Sequence, residues 1–213
     1  VSGELSAISN AINQLRQNQI EKHQLELEKQ QLINELLEAS STDPLTNIYN
    51  RRKFFNQCSQ IKSAEYPLAF CLIDIDNFKN LNDRYGHDVG DLALIAFSQL
   101  LTQSLPENTV YCRYGGEEFA ILLKYTDVPQ AMQVIDSVRL NTELLQITIP
   151  NKPDVGFTIS CGLARLDDYR NINHSIKQAD EALYFSKKRG KNQVSFYSQS
   201  GFISFDAQHK DPS

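Results

Sequence analysis

Two short acidic motifs are the residues best suited to do chemistry. The stretch 67–75, PLAFCLIDI, runs into Asp74-Ile75-Asp76. A carboxylate after so apolar a run needs a cation or hydrogen-bond donors to stay ionised, and residues two apart in a strand share a face. For Asp76 alone, capping of the following helix is an equal explanation. The second motif, Gly115-Gly116-Glu117-Glu118-Phe119, sets adjacent carboxylates on glycines that let the backbone turn or approach a ligand. Either motif by itself is ordinary. Together they suggest carboxylates converging on one or two Mg²⁺ ions, the hard cation of phosphoryl-transfer sites. Lys187 and Lys191 stand four apart near the end of a helical stretch, and Lys79 and Arg113 lie close to the acidic motifs. These cations suit the phosphates of a nucleoside triphosphate, although the two late lysines would equally compensate a helix dipole. Asn82, His87 and Asp91 follow the first motif, and Asn and Asp side chains match the donors and acceptor on the edge of guanine. His87 taken alone reads as well as a structural loop histidine.

These groups need a frame. The run 67–75 is predicted to be a strand buried on both faces, with its acids at the carboxyl end where α/β proteins concentrate their sites. Segments 110–113 and 118–124 read as strands joined through the glycines into a hairpin. Helices are predicted over 50–63, 77–85, 88–104, 127–145 and 172–188, and further strands over 157–166 and 194–197. The order implies an α+β fold, an α/β-like sandwich with a mixed central β-sheet flanked by helices.

All 20 aromatic residues, nine Tyr and eleven Phe, lie at Tyr49 or later, so the first 41 residues stand outside that core. The opening stretch has no proline and reads as one long helix. Alternating steps of three and four from Leu5 meet Ile8, Ile12, Leu15, Gln19, Lys22, Glu26, Lys29, Ile33 and Leu36, and a shifted frame recovers Leu25 and Leu32. That is the pattern of a parallel coiled coil with a stutter, and a homodimer through it is expected; a solitary helix or linker is the alternative. GELSAISNAIN near the start resembles the last stretch of a HAMP linker. The expected divisions are a dimerising coiled-coil helix over 1–41, a catalytic domain over 42–197 beginning near Asp43-Pro44, and a tail over 198–213.

Twenty-one Lys and Arg against 26 Asp and Glu give a net charge of -5, which argues against nucleic acid as a partner. Cys58, Cys71, Cys112 and Cys161 form no C-x-x-C pair and read as reduced core thiols. No apolar run approaches the roughly 20 residues needed to span a bilayer. The chain opens at Val1 and not at Met, so an upstream sensor or membrane segment is expected. The catalytic part is expected in the cytoplasm, as in a membrane-anchored bacterial receptor.

Over roughly 43–197 the chain resembles the GGDEF family of diguanylate cyclases, through DPLTNIYNRRKF, DIDNFKNLNDRYGHDVGD, RYGGEEF and ADEALYFSKKRGKNQV in the family's order. The resemblance implies a palm-like nucleotidyl cyclase fold and a reaction in which two GTP become cyclic di-GMP and two pyrophosphates. It implies Asp74, the carbonyl of Ile75, and Glu117 as metal ligands for Mg²⁺, with Mn²⁺ as a substitute. Glu117 would accept the proton of the attacking 3′-hydroxyl, Glu118 would assist, and Lys79 would stabilise transition-state charge. Phe78, Asn82, His87, Asp91, Arg113, Lys187 and Lys191 would bind GTP, with Asn82 and Asp91 reading guanine. Asn47 and Tyr49 replace the family's frequent Gly and Pro; Asn tolerates a left-handed backbone. The family's R-x-x-D product-inhibition window reads Pro106-Glu107-Asn108-Thr109, so no feedback through it is expected. A catalytically silent GTP- or cyclic-dinucleotide-binding regulator is the alternative function.

Overall fold

The computed structural model describes residues 2–39, 41–149, 153–198 and 201–204, with side chains from Asn13 onward except at 34 and 37–39. The chain divides into two compact units, 1–41 and 42–213. The first is one helix, α1 (Ser2–Ala39), on which Leu15, Ile20, Leu25, Leu27, Leu32 and Leu36 are exposed. The early seam positions Leu5, Ile8 and Ile12, and nearly all of the GELSAISNAIN stretch, lie outside the described side chains. Among the described residues no helix is long and apolar enough to cross a membrane.

In the second unit, β1 (Tyr49–Asn50) leads into α2 (Arg51–Cys58), capped by the Asn50 side chain, which accepts from the Lys53 amide at 2.9 Å. Next come β2 (Leu68–Ile75), α3 (Phe78–Tyr85) and α4 (His87–Ser104). The hairpin of β3 (Val110–Gly115) and β4 (Glu118–Lys124) precedes α5 (Val128–Glu143), whose Asp127 cap and Gln130 form a capping box. A two-stranded hairpin, β5 (Gln146–Ile147) with β6 (Val155–Gly156), stands apart from the main sheet. Then β7 (Ile159–Leu166), α6 (Ile172–Lys188), β8 (Val194–Ser198) and β9 (Gly201–Ser204) complete the fold.

The seven-stranded sheet has the order β1-β3-β4-β2-β7-β8-β9. It is mixed: β2 is antiparallel to both β4 and β7, whereas β1–β3 and β7–β8 are parallel. Every residue of β2 is buried, Asp74 included, as its nearly continuous apolar run requires of a strand covered on both faces. One face carries α4 and α5 around Phe97, Phe119 and Ile135; the other carries α2 and α6 around Phe54, Phe70 and Leu183. Helix α6 comes so close to β7 that a Cβ on Gly162 would lie 2.1 Å from the Ala179 carbonyl and 2.2 Å from the Leu183 amide nitrogen. The buried Ser186 hydroxyl, donating to the Cys161 carbonyl at 2.8 Å, fastens the far end of the same helix. All four cysteines are free and buried, as reduced core thiols should be.

The sequence places the longer elements well, and α6 at 172–188 coincides with its prediction. The differences are at the margins: α2 stops at Cys58, and β9 pairs with β8 in the stretch read as tail, of which 199–200 and 205–213 lie outside the described residues.

Candidate active site

Strand pairing brings the two acidic motifs together. In the β2–β4 register Asp74 faces Glu118, and the Ile75 amide donates to the Glu117 carbonyl at 3.3 Å. Gly116, at φ 54, supplies the left-handed turn that returns the chain toward β2. Lys187, in the last turn of α6, reaches the same point and pairs with Asp74 at 2.9 Å. Asp74 is 8% exposed, and burial pushes its carboxyl above the usual carboxylate range; Lys187 opposes that rise, while Glu117 and Asp76 add to it. Glu118 is likewise raised by desolvation and then by Asp74, with Lys187 opposing and Glu117 and Asp180 contributing. Three acids thus crowd together, and Lys187 offsets two of them, Asp74 and Glu118. Among the described residues no three His, Cys, Asp or Glu side chains already enclose a metal position, so a cation here would draw on a main-chain oxygen as well. A groove of about 430 Å³ opens beside the cluster, lined by Glu118, Asp180, Tyr184, Phe185, Lys187 and Phe202.

Asp76, just beyond β2, is a structural acid. It accepts from the Thr158 hydroxyl at 2.8 Å, the Ser160 hydroxyl at 2.6 Å and the Asn192 amide at 3.0 Å. It caps no helix: α3 starts behind Asn77, which is left-handed at φ 57 and makes no side-chain cap. The Lys191-Asn192 turn after α6 is left-handed at both residues, φ 65 and 46. Arg139 of α5 holds the Asn192 amide oxygen at 3.1 Å and pairs with Asp136 at 2.6 Å. Lys191 in turn donates to the Asn77 side chain at 2.5 Å, so its ammonium sits at the junction of β2 and α3.

Arg113, expected among the substrate cations, is engaged on two sides: its Nε donates to the Gly116 carbonyl at 2.9 Å and its Nη1 pairs with Asp43 at 3.1 Å. Asp43 also accepts from the Thr46 amide and hydroxyl at 2.9 and 2.8 Å. Burial works to raise Asp43, but the Thr46 hydrogen bonds and the Arg113 guanidinium outweigh it and hold the carboxyl below its usual range. Asn47 is left-handed at φ 60, the conformation its replacement of glycine anticipates.

The expected base-recognition residues lie on α3 and the first turns of α4, which pack together. Asn82 lies against Gly90, beside the half-buried Phe78. His87 and Asp91 are exposed at the start of α4, and Lys79 is exposed on α3. Sequence reasoning assigned no role to Asp43, Arg139 or Gly90. Their partners are far away in sequence or depend on side-chain packing; Asp43 and Gly90 carried a signal only as members of DPLTNIYNRRKF and DIDNFKNLNDRYGHDVGD.

Residues 40–193 match the family profile described as diguanylate cyclase, GGDEF domain. The probable diguanylate cyclase DgcC of Escherichia coli K12 is 35% identical over 160 residues, 73% of this chain and 43% of that protein. The chain therefore spans less than half the length of such curated relatives. The solved GGDEF domain of DgcB from Caulobacter crescentus, in complex with c-di-GMP, is 27% identical, with a TM-score of 0.69 over 74% of this chain and 96% of that one. The active GGEEF domain of a diguanylate cyclase from Vibrio cholerae is 31% identical, with a TM-score of 0.64 over 70% and 97% of the two chains.

Proposed function

Since this chain belongs to the GGDEF-domain family of diguanylate cyclases, we propose that it condenses two GTP into cyclic di-GMP and two pyrophosphates, as a dimer. The meeting of Asp74, Glu117 and Glu118 at the end of the central strand, with Lys187 paired to Asp74, carries this reading. Crowded acids with one paired lysine leave uncompensated negative charge, and their oxygens are the donors a hard divalent cation takes. We assign Asp74, Glu117 and the Ile75 carbonyl to Mg²⁺, for which Mn²⁺ can substitute. When bound, the metal supplies charge neutralisation and fixed orientation to the triphosphate.

Glu117 takes the proton of the 3′-hydroxyl as that oxygen attacks the α-phosphorus of the other GTP. The bond from that phosphorus to pyrophosphate breaks, and repetition at the facing site closes the ring. Lys187, Lys191 and Lys79 answer the phosphate charge as it shifts to the leaving group. Asn82 and Asp91 read guanine, with Phe78 and His87 beside them. Arg113 acts by holding the hairpin that presents Glu117. A product with two equivalent linkages needs two sites related by a two-fold axis, which α1 is suited to bring together. The catalytic unit works where GTP is, in the cytoplasm.

The test is incubation with GTP, ATP and Mg²⁺ and identification of products by mass. Cyclic di-GMP from GTP alone is expected, and Asp74→Asn or Glu117→Gln should lower its formation about 10²–10³-fold while far-UV circular dichroism is unchanged. Nucleotide binding without any product would instead identify a silent regulator.

A further inference from the structure

Gly90 lies in the first turns of α4, where a helical backbone accepts any residue and glycine weakens the helix relative to alanine. Space demands it. A Cβ there would stand 1.9 Å from Asn82 Oδ1, 3.0 Å from Asn82 Cγ and 3.2 Å from Phe78 Cζ. At Gly86, Gly115 and Gly116, by contrast, a Cβ would meet nothing within 4 Å. Asn82 Oδ1 is buried and, among the described residues, has no hydrogen-bond partner, a costly condition that a ligand donor would relieve.

We propose that Gly90 is a specificity-determining residue: its missing side chain leaves the slot in which the Asn82 amide is held for the base. This rests on the assignment of Asn82 to guanine, whose N1 and N2 groups are donors and whose counterpart in adenine has no N1 donor. Any side chain at Gly90 turns the Asn82 amide out of that slot. The atoms that would collide belong to the tip of a flexible side chain, so Asn82 rotates and the helices stay packed. Alanine also favours the helix. Gly90→Ala therefore separates base recognition from folding: its severe clash, at 1.9 Å, is with Asn82, while the Phe78 ring at 3.2 Å has to give by only a few tenths of an ångström.

The experiment titrates the full chain with 3′-deoxy-GTP and 3′-deoxy-ATP in Mg²⁺, analogues that bind without the attacking hydroxyl. Asn82→Ala is expected to reduce the guanine preference about 10- to 100-fold, the worth of one well-made hydrogen bond in a shielded site. Gly90→Ala should reduce it equally with unchanged circular dichroism, and the double variant should lose nothing more. A Gly90→Ala protein that keeps its preference while Asn82→Ala loses it overturns the role of Gly90 and leaves the guanine reading standing. An Asn82→Ala protein with intact preference removes the base assignment and this inference with it. Should Gly90→Ala fail to fold, the double variant, which lacks the colliding amide, must fold; its failure too would overturn the proposal.

Discussion

Asp74 and Glu118 face each other across the β2–β4 ladder; burial raises both carboxyls, and the Asp74 charge makes Glu118 harder still to ionise. Both carboxyls are raised, so the folded chain holds their protons more tightly than the unfolded chain does. Stability contributed by these groups is then present at low pH and falls as pH rises through the window above the ordinary carboxylate range. Glu118→Gln removes one member of the pair. We expect it to raise the melting temperature by about 1–3 °C at pH 7 and to leave it unchanged near pH 4, read by thermal melts across pH; an equal shift at both would mean that charge is not the cause. The acids themselves were legible in the sequence, because a carboxylate after an apolar run or beside paired glycines stands out. The role of Asp76 was not. Its partners Thr158, Ser160 and Asn192 lie 82, 84 and 116 residues away, and no local pattern announces a contact made by strand pairing and a distant turn.

The hairpin that carries Glu117 is braced from outside by Asp43, which binds its own turn through Thr46 and the hairpin through Arg113. Because Asp43 is lowered, its contribution is present above the ordinary carboxylate range and lost as pH falls through its folded value. Asp43→Asn keeps the shape and removes the charge. We expect a loss of about 1–3 kcal/mol in denaturant unfolding at pH 7, together with reduced turnover as Arg113 loses its grip on the Gly116 carbonyl. A variant as stable and as active as the parent would show that the brace is ornamental. Elements with several turns or a full apolar run could be read directly, and β2, α3 and α6 lie where their patterns put them. The two-residue strands β1, β5 and β6 were invisible because so short a segment has no period to detect. Strand β9 was missed because its four residues are mostly exposed and carry no buried alternation to detect.

At the scale of the whole molecule, the exposed leucines of α1 and the proposed need for two facing sites are two halves of one expectation. Removing residues 1–40 should leave a folded catalytic unit whose turnover per chain falls steeply on dilution, whereas the full chain should hold its rate to lower concentration. The check is initial rate against protein concentration for both. An undiminished rate for the shortened protein at low concentration would sink the tethering role. The close seating of α6 on the sheet reaches the same chemistry from behind. A side chain at Gly162 would press on the main chain of α6 at Ala179 and Leu183 and not on a movable tip. The helix would have to lift, carrying Lys187, one turn past Leu183, away from Asp74. In a genetic screen for lost signalling, Gly162 alleles would therefore fall in the same phenotypic class as Asp74 and Glu117 alleles, though that residue touches no substrate and lies hidden between sheet and helix.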